Sequence, residues 1–473
     1  MELISGFVSL LEEFRDVFNA QSFPIFVELM TGWVLSHRHR FVTDLIVSSG
    51  SVGKRHFSNY HRFFSQYAWK LDILSKYLLL LLVRVFAPTT GVIELSVDDT
   101  LARKRGLMVY GTGMHHDPLM SSKAKTITSW GHDWVVLCLI IRLPAWAPTK
   151  AFSLPFCFRL YRNRQGLTKG KKKAPKQDAR QRKKGAKQRK QQRARNESSP
   201  HRTRPELAVE MLQAVASWLP DRQFMVTGDS AYGGASVLQK LPANIDLISH
   251  VHPKGGLYEP APKPKQGEKN GRGRHRKKGR RLPGMAEWAK DESKWRTLKF
   301  DEYGFHATVR VKVIKALYYK AGKDRLLTIV LVQDALGKRP DQMFYCTRLD
   351  WDARRILSCY ARRWSIEVAF HDCKQLLGFE DPANRKEKAV RRTAPMAMVL
   401  YSLIVIWFDR DGHDHVEFPD RPWYRQKKDP SFGDMLTTLR RLSWKINFGD
   451  TAPKRGRAKN IFDQITWILC LAG

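Results

Sequence analysis

The sequence predicts an α/β protein with a mixed sheet at its centre and helical regions at both ends. Three observations lead there. Apolar residues recur at helical spacing up to Phe86, and short β-branched and aromatic runs take over after Pro88 and Gly91. Helical spacing then returns from Trp351 onward.

The helical N-terminal region, residues 1–90, carries candidate helices over Leu3–Phe18, Ile25–Val34, Tyr60–Trp69 and Leu71–Phe86, with a turn at Gly50–Gly53. Val92–Val97 is an apolar run ending in Asp98, Asp99 and Thr100, the pattern of a buried strand that delivers polar groups at its end. Trp134–Leu143 and Phe152–Tyr161 have the composition of two further strands in an antiparallel meander with it. A helix over Pro205–Trp218 follows, then a strand Phe224–Thr227 leading into Gly228 and Asp229. A helix near Ala235–Leu241 and a strand at Ile245–His250 complete the series. A β-rich insertion, 253–350, carries candidate strands Thr308–Val313, Leu326–Val332 and Met343–Tyr345. One long helix is expected over Trp351–Leu377, so the core comprises 91–252 and 351–380. Helices over Val390–Phe408, Met435–Leu442 and Ile461–Leu471 fill the C-terminal region, 381–473.

A net charge of +38 and a pI near 10.1 make a polyanion the expected partner, because such a field attracts phosphates and releases their counterions. Two segments concentrate this charge: Arg162–Arg195 has sixteen Lys/Arg and one Asp, and Lys263–Arg281 has ten Lys/Arg and one Glu. The first lies within an expected flexible loop at 162–204, and the chain stays basic without either. Like charges keep such loops open until phosphates neutralise them. A membrane is not expected, since the apolar run Leu71–Phe86 is short for a span and is interrupted by Lys76 and Arg84. Met1 is followed by Glu2 without a basic, apolar leader, so a cytoplasmic, nucleoid-associated protein is expected. Cys138, Cys157, Cys346, Cys359, Cys373 and Cys470 lack zinc-ligand spacing and read as core thiols.

On one continuous helix, Tyr360, Arg363, Glu367 and Lys374 fall within roughly 60° of one another, at about 100° per residue. A carboxylate flanked on one stripe by a phenol, a guanidinium and an ammonium suits a metal held beside a phosphate, although such residues also pair as ordinary salt bridges.

The run Tyr-Ala-Arg-Arg-Trp-Ser-Ile-Glu-Val-Ala-Phe-His-Asp-Cys-Lys, from Tyr360 to Lys374, resembles the Y-(2)-R-(3)-E-(6)-K signature of bacterial insertion-sequence DDE transposases. The resemblance implies an RNase H-like mixed-sheet catalytic core in which Glu367 is a metal ligand and Tyr360, Arg363 and Lys374 contact DNA. The Val-Asp-Asp-Thr run resembles the family's first strand end, implying Asp99 beside Thr100 as the first ligand, with Asp98 as the alternative. Gly-Asp-Ser-Ala-Tyr resembles the second, implying Asp229 with Tyr232 downstream. Two Mg²⁺ or Mn²⁺ ions shared by Asp99, Asp229 and Glu367 would stabilise both the attacking and the leaving oxygen in phosphodiester cleavage. The expected partners are element-end and target DNA, with a homodimer in the synaptic complex. The insertion resembles members that cut through a hairpin, which makes Trp288, Trp295 and Trp351 candidates for stacking an extruded base.

Trp364, beside Arg363, is a candidate DNA contact. His115, His116 and Asp117 read as loop polarity rather than a metal site, and Gly111–Gly113 lacks the remainder of a dinucleotide loop. Two other functions fit the same residues: a non-catalytic DNA-binding derivative, and an RNase H-like nuclease without strand transfer.

Overall fold

The structure is a computed structural model that describes all residues except 38, 123, 143, 164–200, 263–275, 303–304, 338, 419–426, 449–458, 462–464 and 466–473. Most of both basic segments, most of the expected helix Ile461–Leu471, and Cys470 therefore lie outside the described residues.

Among the described residues ten strands form one sheet: β1 (Val92–Arg103), β2 (Gly113–His116), β3 (Thr128–Ile141), β4 (Phe152–Tyr161), β5 (Gln223–Gly228), β6 (Ile245–His250), β7 (Arg296–Glu302), β8 (Phe305–Leu317), β9 (Leu326–Asp334) and β10 (Gln342–Cys346). Their order is β2-β3-β1-β5-β6-β10-β9-β8-β7, with β4 paired to β3. β1 lies antiparallel to β3 and parallel to β5, and β5 lies parallel to β6. The order β4-β3-β1-β5-β6 is that of an RNase H-like mixed core. The β-rich insertion is no separate sheet: β10 pairs antiparallel with β6, so β7–β10 extend the core sheet. Burial on both sides of β6 favours this continuation, since an unpaired edge there would leave backbone groups without partners.

The helices are α1 (Ser5–Glu12), α2 (Ser22–Leu35), α3 (Val42–Ser48), α4 (Ser58–Ser65), α5 (Leu71–Phe86), α6 (Arg204–Trp218), α7 (Ala235–Leu238), α8 (Met285–Lys290), α9 (Tyr319–Gly322), α10 (Ala353–Arg362), α11 (Ser365–Leu376), α12 (Glu387–Trp407) and α13 (Phe432–Phe448). α6 makes the crossover that a parallel β1–β5 pair requires. It starts at a capping box: the Thr203 hydroxyl accepts from the Glu206 N–H, and the Glu206 carboxylate accepts from the Thr203 N–H.

α12 is long and apolar enough to cross a membrane, yet it is a core helix, with nearly every residue from Thr393 to Trp407 buried against other elements. The helical N-terminal region packs on it. Arg392 of α12 donates to the carbonyls of Phe63, Phe64, Tyr67 and Trp69, satisfying the orphan acceptors where α4 ends. Arg440 of α13 caps α2 in the same way through the carbonyls of Val34 and Ser36.

The expected helix over Trp351–Leu377 is two helices. Between α10 and α11 the N–H groups of Arg363, Trp364, Ile366 and Glu367 each bond the carbonyl three residues back, which tightens the chain into a 3₁₀-like joint. The two sides of the joint pack on different parts of the sheet. α10 covers β5, β6 and β10 through Ile356 and Cys359, while α11 packs through Ile366, Ala369 and Cys373 into the larger core around β1 and β4.

Candidate active site

Alternation along β1 sends Glu94, Ser96 and Asp98 toward the α10–α11 joint, and Leu95, Val97 and Asp99 toward α6. β1 runs on to Arg103, so both aspartates lie within the strand rather than at its end. The site opens there because the parallel neighbour stops: β5 pairs with β1 only as far as Gly228 opposite Val97. Asp229 is the next residue, and it leaves the sheet level with Asp98.

A tight turn holds Asp229. Its Oδ1 accepts from the Ala231 N–H at 2.8 Å, and its carbonyl accepts from the Tyr232 N–H at 3.1 Å and from the Ser249 hydroxyl at 2.7 Å. The chain can close this way because residue 228 is glycine; a Cβ there would stand 2.9 Å from the Tyr232 Cβ and 3.1 Å from the Val97 side chain.

Arg363, at the joint, reaches over the opening. Its Nη1 donates to Asp98 Oδ2 at 2.7 Å and its Nη2 lies 3.6 Å from Glu367 Oε1. Arg363 therefore joins Asp98 to Glu367, and Asp229 lies near enough to act on both electrostatically. Burial pushes Asp98 up to about 7, against the pull of Arg363 and with the push of Asp229 and Asp99. Burial also raises Glu367, again opposed by Arg363 and helped by Asp229. Burial is the larger cause in both acids, and the Asp229 carboxylate adds to each.

Asp99 belongs to a different set of contacts. It accepts from the Tyr232 hydroxyl at 2.8 Å and lies 3.3 Å from Arg204 Nε, which also donates to the buried Asp133 at 2.6 Å. Burial and the Asp133 carboxylate raise Asp99 to about 6, with Arg204 and Tyr232 opposing. The Asp-Thr pairing made Asp99 the expected first ligand, but strand alternation turns its side chain away from Glu367 and leaves Asp98 facing it.

The remaining candidates divide. Tyr360 packs edge-on to His250 and against Phe344, with the Arg363 guanidinium 5.4 Å from its ring centre. Trp364 is 54% exposed beside the opening. Lys374 lies two turns along α11, about 10 Å from Glu367 at 1.5 Å per residue. Burial lowers its pKa, while Glu380 and Asp117 raise it and Arg103 lowers it further. Trp351 is 4% exposed in the smaller core and cannot meet a base there. Trp295 and Trp288 are half-buried, and Arg310 and Lys312 sit over the Trp295 ring. Asp117 is bound by two Arg103 nitrogens and the Ser129 hydroxyl, and His115 is buried 3.4 Å from Asp133, so these two are structural, while His116 is exposed on β2. The five described cysteines are buried free thiols, as expected.

Sequence reasoning passed over Glu94, Arg362 and Ser365. Arg362 donates to both Glu94 oxygens at 3.0 Å, and Arg142 pairs with the same carboxylate. One signal was available: Glu94 is a charge inside an otherwise apolar strand run, which requires a buried partner.

The residues fit a hard divalent cation. Carboxylate oxygens from three elements are the donor type such ions take. The Arg363 guanidinium already bridges two of these acids as a cationic stand-in. Among the described residues no three acid, His or Cys side chains stand close enough to enclose an ion as they are, so loading requires Arg363 to yield its place.

The sequence matches the family of DDE superfamily endonucleases over residues 42–315, a span that contains Asp98, Asp99 and Asp229 and stops before Glu367. No curated protein matches. Among solved structures, the piggyBac transposase synaptic complex with hairpin DNA is similar at 11% identity and a TM-score of 0.40, covering 98% of this chain and 81% of that one. With more than half of its length matched and a mixed α/β core of the corresponding kind, the chain belongs to the DDE superfamily endonucleases, a family of metal-dependent enzymes.

Proposed function

We propose that this chain is a DNA transposase of the bacterial insertion-sequence type, with Asp98, Asp229 and Glu367 as the ligands of its catalytic metal ions. The placing of Asp98 within β1 beside the end of β5 that delivers Asp229, with Arg363 bridging Asp98 and Glu367, carries the reading. Two Mg²⁺ or Mn²⁺ ions would supply Lewis acidity to the phosphodiester. The protein's own groups do the rest. The turn holds Asp229 and the joint sets the backbone of Glu367, and the carboxylates would close on the ions once Arg363 yields its place. Arg363 transfers from Asp98 and Glu367 to a DNA phosphate, where a planar guanidinium binds two oxygens. Tyr360, Trp364 and Lys374 lie along the strand's path as further DNA contacts, matching the Y-R-E-K spacing. The same site first hydrolyses the element's end and then uses the freed 3′-hydroxyl on target DNA, as a homodimer on two ends in the bacterial cytoplasm. A hairpin route would use Trp288 or Trp295 to stack the extruded base.

The test is Mg²⁺-dependent cleavage and joining of a fragment bearing the element's own ends. Asp98→Ala, Asp229→Ala and Glu367→Ala are each expected to abolish both steps. Normal cutting by any of them removes that residue from the ligand set. Cutting without joining makes the chain a nuclease. Hairpinned ends are expected among the intermediates, and their absence rejects that route.

A further inference from the structure

Beneath the site, three successive same-face residues of β1 grip the α10–α11 joint. Glu94 holds Arg362 in a bidentate pair, both bonds at 3.0 Å, with the Glu94 side chain 2% and the Arg362 side chain 6% exposed. Ser96 lies 3.1 Å from the Ser153 hydroxyl, which lies 2.6 Å from that of Ser365. Asp98 then takes Arg363.

The hydroxyl chain has a direction. Ser365 donates its single proton to the Arg362 carbonyl at 2.7 Å, so Ser153 must donate to Ser365, and Ser96 to Ser153. The relay thus ends on the backbone of the residue that Glu94 also holds, one turn before Glu367.

We infer that the Glu94–Arg362 pair and the Ser96–Ser153–Ser365 relay are positioning elements that set where Glu367 stands relative to Asp98 and Asp229. This rests on the ligand reading given above. Two observations favour positioning over folding alone. A buried ion pair is a weak source of stability, and apolar residues of similar volume would often serve a core as well. A bidentate carboxylate–guanidinium pair instead fixes angle and register, which apolar packing does not. The joint also needs an external guide, because no glycine or proline dictates where α10 gives way to α11.

Glu94→Gln keeps the shape and removes the charge; Ser365→Ala removes one hydroxyl and serves if the first variant does not fold. Full-length protein is compared by Mn²⁺ titration without DNA, by single-turnover cleavage at saturating end DNA, by DNA affinity and by melting temperature. The expected result is a roughly ten- to hundredfold loss of Mn²⁺ affinity or cleavage rate at unchanged DNA affinity, the range seen when partners of metal ligands are removed. Wild-type Mn²⁺ binding and cleavage in folded variants, whatever their melting temperature, overturns the inference. Asp98→Asn and Glu367→Gln are titrated alongside. If they bind Mn²⁺ normally, the ligand reading falls and this inference with it; if they lose Mn²⁺ while Glu94→Gln and Ser365→Ala keep both Mn²⁺ binding and cleavage at the wild-type level, only this inference falls.

Discussion

Asp98 and Asp99 are neighbours with opposite surroundings, one facing Arg363 and Glu367, the other Tyr232 and Arg204. Their amide variants therefore separate function from stability. Asp98→Asn is expected to abolish cleavage while leaving the fold intact. Asp99→Asn is expected to retain Mn²⁺ binding and, above about pH 6, where the folded surroundings disfavour the charge it removes, to leave the fold at least as stable; chemical denaturation beside Mn²⁺ titration reads both. Equal loss of Mn²⁺ binding in the two variants would restore Asp99 to the ligand set.

Two more expectations belong to single residues. Arg363→Gln takes away the guanidinium that competes with a metal ion, so Mn²⁺ should bind the DNA-free variant several-fold more tightly than wild type. Weaker binding would show that Arg363 supports the ion rather than displacing it. The second concerns pH. Asp98 ionises near 7 in the folded protein against an ordinary value of 3.8. Its contribution to the stability of the metal-free protein is therefore complete below the ordinary value and is lost as pH rises through about 7. Melting temperatures of wild type and Asp98→Asn, measured across that window, should diverge with rising pH, the variant becoming the more stable. Mn²⁺ affinity should weaken as pH falls below about 7, because the proton and the ion compete for Asp98.

At the scale of elements, the strands were legible because buried runs such as Val92–Val97, Phe152–Tyr161 and Ile245–His250 lie between clear turn signals. Glu367 and Lys374 were legible as one helix face because they sit two turns apart on α11. The break before α11 was not. Arg362 and Arg363 look alike in sequence, but Glu94 takes one and Asp98 the other, and that division is made across the sheet. Arg392 is another element-scale device hidden from sequence, a cation inside an apolar helix whose partners are the carbonyls ending α4. Arg392→Leu should destabilise the protein by about 3 kcal/mol or more, because it strands those buried acceptors. A thermal or denaturant shift under about 0.5 kcal/mol, the usual range at an exposed position, would reject that role.

For the whole molecule, charge and fold bear on different questions. If the chain, with its net charge of +38, acts on DNA as proposed, its affinity should fall steeply with salt, as neutralised phosphates release counterions. Removing 164–195, with its dense Lys/Arg content, should flatten the slope of log affinity against log salt without changing Mn²⁺ binding to the DNA-free protein. An unchanged slope would mean that this segment does not meet the phosphates.

The sequence by itself determined the α/β class, the order of the core elements and the basic character, and it nominated Asp229 and Glu367 as candidates for one site. Those follow from local periodicity, turn chemistry and residue type, which act over a few positions. Only the tertiary structure decided that Asp98 rather than Asp99 faces Glu367, that β7–β10 continue the core sheet, and that Glu94 and Ser365 stand behind the site. The first and the last of these depend on which face of β1 meets which helix. That choice is settled by packing between segments more than two hundred residues apart, where no local pattern reaches.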